Sequence, residues 1–202
     1  TRNEVVQHIT PSNLTSTNNM LQFLEIDKPI GIALEKLEAF LKGKGSLEGT
    51  AAAFIQAAQD YGINECYLAA HAALETGNGT SVLGRGSSFS YNHQPSRTVY
   101  NMYGIAAVDG NAVGGGKATA YSRGWFTPES AIRGGAEWIS RAFVHKKQNT
   151  LYKMRWNPAH PASHQYATDV NWPEHISSGM YAICGDYHDY DQELIFDVPV
   201  YK

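Results

Sequence analysis

Cysteine is scarce in this chain: Cys66 and Cys184 are the only two among 202 residues. Two cysteines so far apart do not make a disulfide framework, and both are expected to act as small buried hydrophobes. Charge is sparse as well. Lys, Arg, Asp and Glu make up 17% of the chain, the net charge is −3, and no basic cluster exceeds Lys146-Lys147, which argues against a nucleic-acid surface. No apolar run approaches the ~18 residues that would suggest a membrane span, and 43% hydrophobic residues exclude a disordered chain. No signal peptide opens the sequence, but Thr1 is not an initiator methionine and the chain reads as a part cut from something longer, so that absence says little about secretion. Several catalytic signatures are missing too. Gly114-Gly115-Gly116 lacks the GxxxxGK(S/T) spacing of a phosphate cradle, and there is no GxSxG elbow. His160 and His164 are interrupted by Pro161 and no HExxH occurs, so neither a metal nor another cofactor is expected.

What the chain does have is one carboxylate in an unusual setting. From Asn64 to Leu74 it reads NECYLAAHAAL, with alanine at four of eleven positions and apolar residues nearly all round the helical wheel. Glu75 continues the stripe of Tyr67 and His71, and Gly77-Asn78-Gly79 then stops the helix. Core helices rarely carry a glutamate. Burial disfavours its charged form, so a raised pKa is expected, which suits a general acid near neutral pH. A wet helix face with a neighbouring cation is the competing account.

Aromatic residues are plentiful, with 12 Tyr, 7 Phe and 4 Trp, and many lie in Gly-, Asn- and Ser-rich stretches. Rings on polar loops suit a groove that stacks on sugar faces, although for any single ring packing of the loop onto the core is the favoured account.

Residues 1–30 read as a polar, irregular N-terminal arm with one apolar knot at Met20–Leu24. Helices are expected over 31–42, over 47–60 with Ser46 as cap, and over 64–75. Across 81–125 helical periodicity is lost. Alternation over 98–105, the Asp109-Gly110-Asn111 turn and the glycine triplet as a breaker suggest an inserted β lobe. Helix resumes with Thr127 as N-cap and Pro128 at the first position, and a last helix is expected from Trp172 to Ile183. No role is evident for residues 186–202.

The runs LAAHAALETGNGTS (68–81), YNMYGI (100–105), VGGGKATAYSRGWFTPESAIRGGAEWI (113–139), NTLYKMRWNP (149–158) and HQYATDVNWP (164–173) carry a family resemblance. In order and content they resemble the bacterial endo-β-N-acetylglucosaminidases of glycoside hydrolase family 73, the glucosaminidase domains of Gram-positive cell-wall autolysins. The resemblance covers residues 46–183 and implies a lysozyme-like, mainly α (α+β) fold, with a helical body and small β-hairpin lobe forming a cleft. The catalytic domain would then be residues 31–185, with 81–125 as the inserted lobe.

The resemblance also implies that Glu75 is the acid and that Tyr166 is a second functional position. The substrate would be peptidoglycan, cut at the β-1,4 bond between N-acetylglucosamine and N-acetylmuramic acid by a secreted, wall-associated protein. The domain is expected to be monomeric within a modular parent, without membrane insertion. Glycosidases commonly pair two carboxylates, ~5–5.5 Å apart when retaining and ~6.5–9.5 Å when inverting. Asp109, in the lobe turn, is the candidate for the second. Substrate-assisted attack by the sugar's own acetamide needs no second carboxylate and is the favoured route. Asn101, Tyr103, Gly104, Trp125 and Trp156 are expected to line the groove. A lytic transglycosylase of the same fold and an inactive glycan-binding module are the readings to separate from hydrolysis.

Overall fold

The computed structural model describes residues 1–107, 111–185 and 193–201, so Asp109 lies outside the described residues. The elements run α1 (Arg2–Ile9), α2 (Thr17–Met20), α3 (Leu34–Leu41), α4 (Ala51–Tyr61), α5 (Glu65–Glu75), β1 (Ser87–Phe89) and β2 (Arg97–Val99). They continue with α6 (Ala112–Ser122), α7 (Pro128–Ala142), α8 (Leu151–Trp156) and α9 (Trp172–Cys184).

A helix that is apolar all round has to be enclosed, and α5 is: every residue from Glu65 to Ala73 is buried. Asn64 caps its start by accepting from the Tyr67 N–H at 2.9 Å. At its end the buried Thr76 hydroxyl donates back to the Ala72 carbonyl and accepts from the Gly79 N–H. The helix α9 packs along α5 and approaches it closely at Gly179, where a Cβ would stand 2.9 Å from that of Ala70. On another side α4 packs against both α5 and α7. Cys66 and Cys184 are buried thiols, as their apolar surroundings suggested, and burial together with the Cys184 thiol pushes the Cys66 pKa up.

Ser46 does not cap α4, which begins only at Ala51. Its hydroxyl instead donates to the carbonyls of Gly79 and Gly84, tying the loop after α3 to the one after α5. Those backbones touch: a Cβ on Gly79 would fall 2.3 Å from the Lys44 carbonyl oxygen.

The lobe contains the expected hairpin, with Ser87 opposite Val99 and Phe89 opposite Arg97 in antiparallel register. It is less β-rich than its sequence suggests. The strand stops at Val99, and the glycine triplet lies inside α6 instead of breaking the chain. Glycine costs helix stability in isolation, but here the missing side chains let α6 approach its neighbours. A Cβ on Gly115 would sit 2.5 Å from the Ala106 carbonyl oxygen. The lobe docks on α7 through two rings. Trp125 lies over Gly134 and Tyr103 over Gly135, where added Cβ atoms would collide at 1.9 and 2.1 Å. The start of α7 is as expected, with Thr127 and Ser130 forming a reciprocal cap and Pro128 in the first turn.

The N-terminal arm is more ordered than its polarity suggested. It holds α1, α2 and short 3-10 turns, and Leu21, Phe23, Leu24 and Ile26 are buried. Glu65, 2% exposed, accepts from the Ile30 and Ile32 N–H groups and fixes the arm's exit. The described part of the tail clamps the same arm. Leu24 and Phe196 form an antiparallel bridge, Glu25 N–H donates to Ile195 and Asp197 N–H to Phe23.

Candidate active site

Where α5 ends, the packing opens. Leu74 is exposed and the Glu75 side chain is 25% exposed, so the first groups to leave the core face a cleft of about 640 Å³. Its walls come from Gly104 and Ala107 of the lobe and from the segment Gln165–Asp169, with Trp172 and His175 of α9. The cleft continues toward Trp138 and Phe143 at one end and toward Phe40, Lys44 and Asn78 at the other, forming an open-ended groove with Glu75 near its middle.

Three groups hold the carboxylate. Trp172 Nε1–H donates to Oε1 at 3.1 Å. His71 Nε2, one turn earlier on α5, lies 3.5 Å from the same oxygen without hydrogen-bond alignment and has no other partner. Gly104, at φ +63°, backs the other oxygen so closely that a Cβ would stand 2.9 Å from Oε2. Burial pushes the Glu75 pKa up, but the His71 imidazole and the Trp172 indole N–H outweigh it and hold the group below its ordinary value. The raised pKa expected from the sequence is therefore overturned, because polar neighbours on α5 and α9 supply what lost water would have supplied.

Aromatic rings enclose His71, which is fully buried. Its ring meets those of Tyr166, Trp172, Tyr103 and Tyr67 at centroid distances of 4.7, 5.2, 5.3 and 5.3 Å. Behind it the Tyr67 hydroxyl lies 2.9 Å from Nδ1. Burial pushes the Tyr67 pKa well up, so that hydroxyl keeps its proton.

Tyr166 and Gly104 are brought to Glu75, but the Tyr166 hydroxyl is already used: it donates to the Tyr103 carbonyl at 2.8 Å. Its ring stacks on Trp172 at 5.1 Å. Tyr103 borders the cleft while its own ring is buried against α7. Asn101 is not a groove residue. It is 1% exposed, and its amide donates to the Ile105 and Gly116 carbonyls and accepts from the Ile105 N–H, shaping the loop that presents Gly104. Trp125 faces α7 away from the cleft, and Trp156 is buried in a small cluster with Leu14, Phe23 and Tyr152. Their rings meet the core because α7 and the arm offer apolar seats. The lobe rings Phe89, Tyr91, Tyr121 and Phe126 likewise contact one another instead of the cleft.

Sequence reasoning missed Trp172 and His71 as neighbours of the carboxylate. His71 was visible in the stripe shared with Glu75, whereas Trp172 is 97 positions away and only the α5–α9 packing joins them. Asp169 accepts from the Asn171 N–H and also lines the cleft.

Residues 51–184 match the glucosaminidase family model, described as mannosyl-glycoprotein endo-β-N-acetylglucosaminidase. The chain belongs to this glucosaminidase family. It is 50% identical over 187 residues to the bifunctional autolysin of Staphylococcus aureus strain Mu50, covering 90% of this chain but 15% of that protein. Among solved structures, the crystal structure of Major Bifunctional Autolysin matches over all of this chain and 83% of that one, with 45% identity and a TM-score of 0.72. S. aureus autolysin E matches over the same shares with 33% identity and a TM-score of 0.80. A catalytic Glu→Ala variant of autolysin E, in complex with the disaccharide NAG-NAM, matches with 32% identity and a TM-score of 0.79 over 98% of this chain and 82% of that one. The lysozyme-like fold and the membership among endo-β-N-acetylglucosaminidases expected from the sequence are thus both found. This glucosaminidase domain spans a small fraction of the curated relatives it matches.

Proposed function

We propose that this domain hydrolyses peptidoglycan glycan strands at the β-1,4 bond joining N-acetylglucosamine to N-acetylmuramic acid, within a secreted autolysin that acts on the bacterial cell wall. The supporting observation is Glu75: a carboxylate leaving the end of a buried helix into the middle of an open-ended groove, with Oε1 bonded by Trp172 and Oε2 against the Gly104 backbone. An open-ended groove takes a polymer internally, and the relatives include a protein solved with NAG-NAM.

In this reading Glu75 protonates the leaving oxygen. The protein's own groups, His71 and Trp172, favour the ionised form, so bound substrate has to shift it. Sugar seated over the exposed quarter of its side chain removes the remaining water and disfavours the charge. The acetamide oxygen of the N-acetylglucosamine attacks its own C1 as the leaving oxygen departs with the Glu75 proton. Water then opens the cyclic intermediate, giving a proton back to the Glu75 carboxylate, with retention at C1. Tyr166 acts here as a positioning residue, its hydroxyl pinning the Tyr103 carbonyl and so the Gly104 backbone that abuts Oε2.

The decisive experiment is mass spectrometry of a peptidoglycan digest. Reducing-end N-acetylglucosamine is expected. Products ending in 1,6-anhydro-muramic acid would make the enzyme a lytic transglycosylase, and absence of products would leave a glycan-binding module. Asp109→Asn tests the route: a variant keeping most activity supports acetamide participation, and a loss of several orders of magnitude assigns a base to Asp109.

A further inference from the structure

A second cavity, about 590 Å³, lies beyond the Phe143 end of the groove and shares no lining residue with the Glu75 cleft. Lys146, Lys147, Lys153, His160 and His164 surround it, and its one acidic lining residue, Asp197, is paired with Lys153 at 2.5 Å. Among the described residues neither the Lys146 nor the Lys147 ammonium has an acidic partner. Among the described residues the lining of this cavity therefore holds more basic than acidic side chains, on a chain whose net charge is −3.

His164 is fixed there. Buried Gln148 donates from its amide nitrogen to the Lys153 and His164 carbonyls, which aims its oxygen at His164 Nδ1, 2.5 Å away. Nδ1 is thus the protonated nitrogen of the neutral ring, and Nε2 is left for a ligand. The floor and rim include Pro158, Ala159 and Pro199. Small apolar walls under ammonium groups suit a short peptide with small side chains and carboxylates, whose apolar parts a bare phosphate lacks.

The cavity is close to the catalytic groove. The His164 ring stacks on Phe143 at 4.5 Å, and Phe143 meets Tyr166 at 5.1 Å. His164 lines the cavity, while the next two residues, Gln165 and Tyr166, line the cleft. At ~3.3–3.6 Å per extended residue, a stem of a few residues hanging from a sugar in the cleft spans that gap.

We propose that this cavity binds the carboxylate-bearing peptide stem of the strand being cut. This rests on the peptidoglycan reading above. It makes the enzyme selective for strands that still carry acidic stems, through ground-state binding and not through the chemical step.

The test compares glycan strands bearing stems with the same strands stripped by an amidase, using wild type and the double variant Lys146→Gln, Lys147→Gln, which removes charge but keeps the side-chain stems. On stem-bearing strands the variant should raise KM about 3- to 10-fold with kcat unchanged, the scale of two exposed charge contacts. On stripped strands it should match wild type, whose cleavage of those strands keeps the glycan reading intact. Equal effects on both substrates, or none on either, would overturn the proposal. So would inhibition of stem-bearing cleavage by a glycerol-phosphate polymer that is as strong as that by an acidic peptide and is lost in the double variant, since the site would then be a phosphate site. Wild type inactive on both substrates would sink the peptidoglycan reading itself.

Discussion

Replacing Gly104 with alanine separates the position of the Glu75 carboxylate from the stability of the fold. Two costs arise at this residue. Its φ of +63° is left-handed backbone, which charges an L side chain about 1–2 kcal/mol. For a domain of this size that lowers Tm by roughly 2–8 °C. The new Cβ would also sit 2.9 Å from Glu75 Oε2, against 3.4 Å or more for an ordinary contact. Oε2 is the tip of a rotatable side chain, so the clash is relieved by moving the carboxylate about 0.5 Å, the limit within which catalytic groups must be held. A loss of ~10- to 100-fold in kcat is expected. Gly62→Ala is the control. Its φ is +58° and its nearest neighbour, the Asp27 carbonyl oxygen, would be 3.7 Å away, so it carries the backbone cost without the clash. Both variants should melt lower by similar amounts, and only Gly104→Ala should lose turnover, read as reducing ends released per folded enzyme. Full turnover in Gly104→Ala would refute the claim that this contact sets the catalytic carboxylate.

Glu75→Gln removes the transferable proton while leaving an oxygen for Trp172, so it should fold and lose at least ~10²–10⁴ in rate; zymography with the purified folded variant checks this. The same variant tests the pKa direction through stability. A carboxyl held low in the folded state stabilises above the unfolded value of about 4.3, and that contribution is lost as pH falls through the lower folded value. Urea midpoints should therefore fall more steeply with acid in wild type than in Glu75→Gln, and parallel curves would contradict the assignment. Tyr166→Phe deletes the bond to the Tyr103 carbonyl, costing about 0.5–1.5 kcal/mol and lowering kcat with little change in KM, as expected of a positioning role. Trp156→Phe should lower Tm while specific activity stays at the wild-type level, because its ring packs against the N-terminal arm and not the cleft.

Local sequence was enough for whatever depends on neighbours along one helix. The apolar wheel of α5, its glycine stop and the position of Glu75 at its end are all short-range features, as is the Thr127-Pro128 start of α7. Ordered motif blocks extended that reading to the family. Tertiary structure decided everything that depends on what lies across a gap. Gly114-Gly115-Gly116 reads as a breaker by propensity, yet it is helix, because close approach to Ala106 and Leu83 favours residues without side chains. Trp125, Trp156 and Asn101 look like ligand-facing types, and they are buried because α7, the arm and the 101–105 loop use them. The pKa of Glu75 is the sharpest case. Burial was legible in the sequence and points upward, but the direction is set by a ring nitrogen one turn away and an indole N–H 97 residues away. Electrostatic balance at a site is a sum over groups that folding brings together, and only the packing of α9 on α5 supplies the last of them.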